Sequence, residues 1–155
     1  MGTDMKSKIG KPLGTSRWFD VEQTLVTQFS ASTLDNDPMH LDPEWSKANT
    51  PFGGTVAAGF WTTSMLITMS HDIGFIDAFG ENEGGAWYAL NYGFNHMRLI
   101  TPVPVGKRIR AHMSLRDFQD RGEGKFLFTI DVEVEIEGEE KPALVAEWLA
   151  MVLRS

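Results

Sequence analysis

Cysteine is absent from the 155-residue chain, and with it go disulfides, thiolate metal sites, thiol nucleophiles and c-type haem attachment. A reducing compartment, the cytoplasm, is the expectation that follows. Bases are scarce: 14 against 21 acids give a formal charge of -7 and an isoelectric point near 5.0, which sets the chain's field against nucleic acid and anionic lipid. Long apolar runs are missing too. The most apolar stretch, Val56 to Met69, falls short of the roughly 20 residues that a bilayer crossing takes. Thr62, Thr63, Ser64 and Thr68 interrupt it, so a buried helix is expected and a membrane partner is not. Met1 to Gly10 lacks the apolar centre of a signal peptide, and Lys6 follows Gly2-Thr3-Asp4-Met5 where myristoylation prefers Ser or Thr. There is no internal repeat and no low-complexity block. What is present, 42% hydrophobic and 23% charged residues, is the make-up of one ordinary folded domain.

The C-terminal half reads as strand. Phe128, Ile130, Val132, Val134 and Ile136 alternate with Asp131, Glu133, Glu135 and Glu137, a period of two that buries one face and wets the other. The acidic stretch Asp131 to Glu140 is thereby explained as a solvated strand face and its turn. Leu144 to Leu153 returns, apolar on both faces apart from Glu147, as a more central antiparallel strand. Ile109, Ala111, Met113 and Leu115 mark a third strand that ends before a loop from Asp117 to Gly124, and Trp87 to Phe94 a fourth. The N-terminal half is helical: Gln23 to Thr33 is amphipathic through Leu25, Val26 and Phe29, and Val56 to Met69 is apolar nearly all round. A buried helix and a long antiparallel sheet must pack on one another, which predicts an α+β domain with its sheet wrapped around a central helix. Residues 1–15 are expected to form a loosely ordered segment ahead of that domain.

Between the two helices lies Leu34-Asp35-Asn36-Asp37-Pro38-Met39-His40-Leu41-Asp42-Pro43, the densest polar run in the chain. Pro38 and Pro43 stop helix and sheet alike, so Asp35 and His40 are held in a turn where a carboxylate and an imidazole can converge as base and acid. The same residues are also ordinary loop chemistry, with Asp35 and Asp42 capping helices and His40 packing on apolar neighbours. Asp35, Asp37 and His40 lack the spacing of a familiar metal site. On the residues alone the acid-base and capping readings both stand.

The run Asp35-x-x-Pro38-x-His40-x-Asp42-Pro43, followed by Thr50-Pro51-Phe52-Gly53-Gly54-Thr55-Val56-Ala57-x-Gly59, resembles the signature of the MaoC-like dehydratases, the hotdog-fold family that includes (R)-specific enoyl-CoA hydratases. Trp18-Phe19-x-Val21, Leu90-Asn91-Tyr92-Gly93-Phe94 with Arg98, and Thr101-Pro102-Val103-Pro104-Val105-Gly106-Lys107-Arg108 are similar to further segments of it, especially of its NodN-like branch. The resemblance implies a single hotdog domain over residues 1–155, usually paired into a homodimer with one continuous sheet. It implies that an acyl-CoA thioester is the substrate, that no cofactor is needed, and that water is added to, or removed from, a trans-2-enoyl thioester. Asp35 then matches the catalytic aspartate, His40 the catalytic histidine, and Gly59 the residue whose backbone N–H faces the thioester oxygen. Asp37 stands where the hydratases usually show asparagine, Ala58 where many show histidine, Leu34 for a common glycine and Met39 for a branched aliphatic residue. Two carboxylates sharing one pocket would retune the base.

Trp61, near the start of the central helix, is the candidate wall of an acyl channel, and Lys107, Arg108 and Arg110 are candidates for the phosphates of coenzyme A. His71, His96 and His112 read as surface or terminal residues without a role. Two other functions fit the same fold. A hotdog thioesterase commonly places a carboxylate on the central helix, and Val56 to Met69 contains none. A non-catalytic acyl-CoA-binding subunit is the other, favoured by Asp37 and Ala58.

Overall fold

The computed structural model describes residues 2–75, 77, 79 and 86–154. In chain order its elements are α1 (Gly2–Ser7), β1 (Pro12–Thr15), β2 (Phe19–Asp20), α2 (Gln23–Thr33), α3 (Pro38–Leu41), α4 (Pro43–Asn49), α5 (Gly59–Ile73), β3 (Trp87–Leu99), β4 (Arg108–Asp120), β5 (Lys125–Ile136) and β6 (Leu144–Arg154). The long strands form one antiparallel sheet in the order β1-β4-β5-β6-β3, with β2 paired to β4 on the same side as β1. The period of two in β5 places Phe128, Ile130, Val132, Val134 and Ile136 on the buried face against Trp61, Leu66 and Met69 of α5. That is the α+β, helix-in-sheet arrangement that the sequence pattern requires.

Several boundaries differ from the sequence reading, each for a visible reason. α5 starts three residues after Val56, because the preceding segment is extended: Val105 N–H donates to Thr55 O at 2.9 Å and Ala57 N–H to Val103 O at 2.8 Å. It runs on to Ile73, where Gly74 takes the left-handed conformation (φ 75°) that closes a helix with least strain. β4 continues to Asp120 because a bulge at Arg116 shifts the pattern and turns Phe118 inward. There Phe79, Phe118, Phe126 and Phe128 meet edge to face or stacked, closing one end of the core. β3 continues past Phe94 to Leu99 through bulges at Tyr92 and Asn95. Residues 5–15 contact the sheet: β1 pairs with β4, Gly10 N–H donates to Leu115 O at 2.7 Å, and Met5 is buried.

The wet side of the sheet carries a ladder of opposite charges. Arg108 pairs with Glu137, Arg110 with Glu135 at 2.6 Å and Arg116 with Asp131 at 2.7 Å, while Trp18 lies under both Arg108 and Arg110. Hydrogen bonds from Arg110 and then His112 hold the Glu135 carboxyl below the usual carboxylate range, and Arg108 does the same for Glu137. Those contributions to stability are present above the ordinary carboxylate range and fade as pH falls through the lowered values.

Candidate active site

The polar run folds as a chain of short elements, in which Asp37 and Asp42 act as helix caps. α2 ends at Leu34, which adopts the left-handed conformation (φ 60°) and hands its N–H to Ser30 O; Asp35 N–H donates to the same carbonyl at 3.1 Å. Asp37 caps α3 by accepting from Met39 N–H at 3.0 Å, and Asp42 caps α4 by accepting from Trp45 N–H at 2.9 Å. Pro38 and Pro43 each occupy the first turn, where a missing N–H costs nothing. The caps fix the loop, and the remaining two residues face each other.

Leu34 is 81% exposed in a backbone region that side chains disfavour. Leu34→Gly is therefore expected to raise stability by about 0.5–1 kcal/mol, the balance of relieved strain against extra freedom in the unfolded chain. Urea titration with an unchanged slope checks it, and a destabilised variant would contradict it.

His40 is buried, its side chain 7% exposed, and its Nδ1 lies 2.7 Å from Val56 O. A carbonyl only accepts, so Nδ1 carries a proton, and in the neutral imidazole Nε2 then presents the lone pair. Nε2 lies 3.9 Å from Asp35 Oδ2, on a carboxylate that is about half exposed. That separation is too long for a direct hydrogen bond and suits one water within about 2.8 Å of both atoms. His40 also lines a cavity of about 310 Å³ whose other walls include Gly59, Thr62, Leu99, Val103 and Ala143. Gly59 opens α5, where the first N–H groups have no acceptor within the helix and the dipole is positive. A Cβ at Gly59 would run into Leu99 Cδ1, so glycine here leaves room for the Leu99 side chain.

The structure thus places His40 beside Asp35 and, through the cavity, with Gly59; Asp35 itself is not among the residues lining the cavity. Asp37 is spent on its cap. Trp61 is buried in the core beneath the sheet and is not among the residues lining the cavity. Lys107, Arg108 and Arg110 engage Glu139, Glu137 and Glu135 and do not line the cavity either. His71 faces Asp77, His96 faces Glu147, and His112 bridges Thr15 and Glu135. Asp72, the acid in the last turn of α5, is bound to Arg17. Three participants escape sequence reasoning: the Val56 carbonyl, Leu99 over Gly59, and Gln23, because backbone groups and partners 17 to 40 positions away leave no local pattern. Among the described residues no group of three or more His, Cys, Asp or Glu is placed to hold a metal ion, and no helix is long and apolar enough to cross a membrane.

A curved antiparallel sheet around a single long helix, with this cavity at the helix start, is the hotdog architecture of the acyl dehydratases. The family described as MaoC like domain matches residues 4–137, and the chain belongs to it. It is 38% identical to nodulation protein N of Rhizobium leguminosarum bv. viciae over 149 residues, 96% of this chain and 89% of that one. It is 39% identical to 3-hydroxyacyl-thioester dehydratase Z of Mycobacterium tuberculosis over 144 residues, 93% of this chain and 90% of that one. Among solved structures, the (R)-hydratase from A. caviae involved in PHA biosynthesis superposes with a TM-score of 0.65 at 18% identity, covering 92% of this chain and 95% of that one.

Proposed function

We propose that the chain is an (R)-specific enoyl-CoA hydratase, adding water to a trans-2-enoyl thioester or removing it from the 3-hydroxy product. The observation that supports this most directly is the 3.9 Å gap between His40 Nε2 and Asp35 Oδ2 beside an apolar cavity. One water fits between them, donating one hydrogen to the imidazole lone pair and the other to the carboxylate. As its oxygen bonds to C3, Nε2 takes a proton and the C2–C3 π pair moves into the thioester as an enolate. The α5 N-terminus at Gly59 stabilises the charge on that oxygen. The enolate then collapses, C2 receives the proton from Nε2, and the sum is OH at C3 and H at C2. The relationship to a 3-hydroxyacyl-thioester dehydratase supports the substrate class.

Crotonyl-CoA is the test substrate. Loss of the conjugated enoyl absorbance without thiol release is the expected result. Thiol release would make the protein a thioesterase, and saturable binding with neither signal would make it an acyl-CoA-binding subunit.

The substrate-free surface also supports a homodimer. Among the described residues β3 lies at the end of the sheet, paired on one side with β6, and its sequence includes no proline and no lysine. Tyr88, Leu90, Tyr92 and Leu99 on that strand are exposed, as are Phe60 (71%) and Ile67 on α5. A strand at the end of a sheet beside uncovered apolar side chains is covered most simply by a two-fold copy of itself. Light scattering at micromolar concentration should give twice the chain mass of 17.3 kDa; a monomer mass would overturn the assembly.

A further inference from the structure

We propose that Gln23 is a positioning residue for the His40 imidazole, an inference that rests on the dyad reading above. Gln23 opens α2 and is half-buried. Its Nε2 donates to the His40 main-chain carbonyl at 2.8 Å and to Thr27 Oγ1 at 3.2 Å, and its Oε1 accepts from Thr55 Oγ1 at 2.5 Å. Thr55, itself 5% exposed, is the neighbour of Val56. Val56 O accepts the His40 Nδ1 proton, and Val56 N–H donates to Met39 O at 3.1 Å.

Two strips of chain therefore set the ring: the loop that carries His40, and the extended segment whose carbonyl selects its tautomer. The Gln23 amide bonds to both. A slide of one strip against the other would lengthen the bond from Nδ1 to Val56 O, release the tautomer and swing Nε2 away from Asp35. The work needs an amide, with one donating and one accepting end. A carboxylate of the same shape accepts from Thr55 but turns an acceptor toward the His40 carbonyl, so Glu at this position reverses the contact that matters.

The test uses Gln23→Glu, Gln23→Ala and Thr55→Val in the full chain. Long-range ¹H–¹⁵N correlation spectra of the His40 ring report the tautomer without reference to turnover. The wild-type ring should show Nδ1 protonated and Nε2 bare, and both Gln23 variants a mixture. On crotonyl-CoA, kcat should fall about 10- to 100-fold, the scale of an ångström-size misplacement, with KM within about threefold. Thr55→Val, which removes one of the bonds and keeps the branched shape, should move the ring signals in the same direction and decides the matter if the Gln23 variants do not fold. Retention of the wild-type tautomer and kcat in Gln23→Glu would overturn the proposal, as would variants that only melt earlier. A wild-type protein inactive on crotonyl-CoA would defeat the hydratase reading while the ring spectra still decided the role of Gln23.

Discussion

Asp35→Asn and His40→Ala are each expected to lower kcat/KM for crotonyl-CoA hydration by roughly 10²- to 10⁴-fold, the usual worth of a positioned acid or base. On the proposed mechanism Asp35 orients the attacking water and His40 moves its proton, so the circular dichroism spectrum should not change. Asp35 is about half exposed and its side chain contributes one long bond to the loop, from Asp37 N–H at 3.3 Å, so little structure depends on its charge. On the proposed mechanism the two groups hold a single water, so removing either one forfeits most of what the pair achieves. The double variant should therefore lose much less than the product of the single effects. Asp42→Asn provides the contrast: it keeps the cap's hydrogen bond but removes a negative charge from a helix N-terminus, and should cost about 0.5–1 kcal/mol of stability with little change in rate. Near-wild-type turnover in Asp35→Asn would mean that this carboxylate does not hold the attacking water.

The second large effect concerns stability. Trp148→Ala is expected to cost about 3–5 kcal/mol. Trp148 is 2% exposed on the inner face of β6, and its indole N–H donates to Asn91 Oδ1 on β3 at 2.8 Å. Truncation leaves a cavity under the sheet and strips a polar anchor from the edge strand. For a domain of this size the melting midpoint should drop by roughly 6–20 °C. Trp148→Phe keeps most of the volume and loses the hydrogen bond, so its loss should be far smaller. A Trp148→Ala protein within about 1 kcal/mol of wild type would show that the indole is not a structural pin.

The sheet was legible because its physics is local. An alternation such as Ile130-Asp131-Val132-Glu133 states a strand, a buried face and a wet face at once. Ends of elements were less so, since α5 begins where pairing of residues 55–57 with 103–105 stops, and no residue near Val56 announces that. β4 ran past its expected end because one bulge reverses which residues face inward, and Asp117, Gln119 and Asp120 look like a loop until Phe118 is seen beneath the sheet. In the site, proline spacing confined Asp35 and His40 to one turn, but the choice between capping and chemistry needed three dimensions. Position near a helix start does not say which side of the helix faces the cavity, and Trp61 lies on the core side.

One consequence of the loop's construction concerns how such a site can be tuned. Asp37 holds its helix with a single oxygen, accepting one backbone N–H. An asparagine can accept the same bond, so the negative charge at position 37 is dispensable to the loop's shape. The same holds at Asp42. The loop thereby separates its shape from its field: two carboxylates flanking the dyad can be neutralised or restored one at a time, shifting the electrostatic potential at His40 while the distances that place it stay as they are.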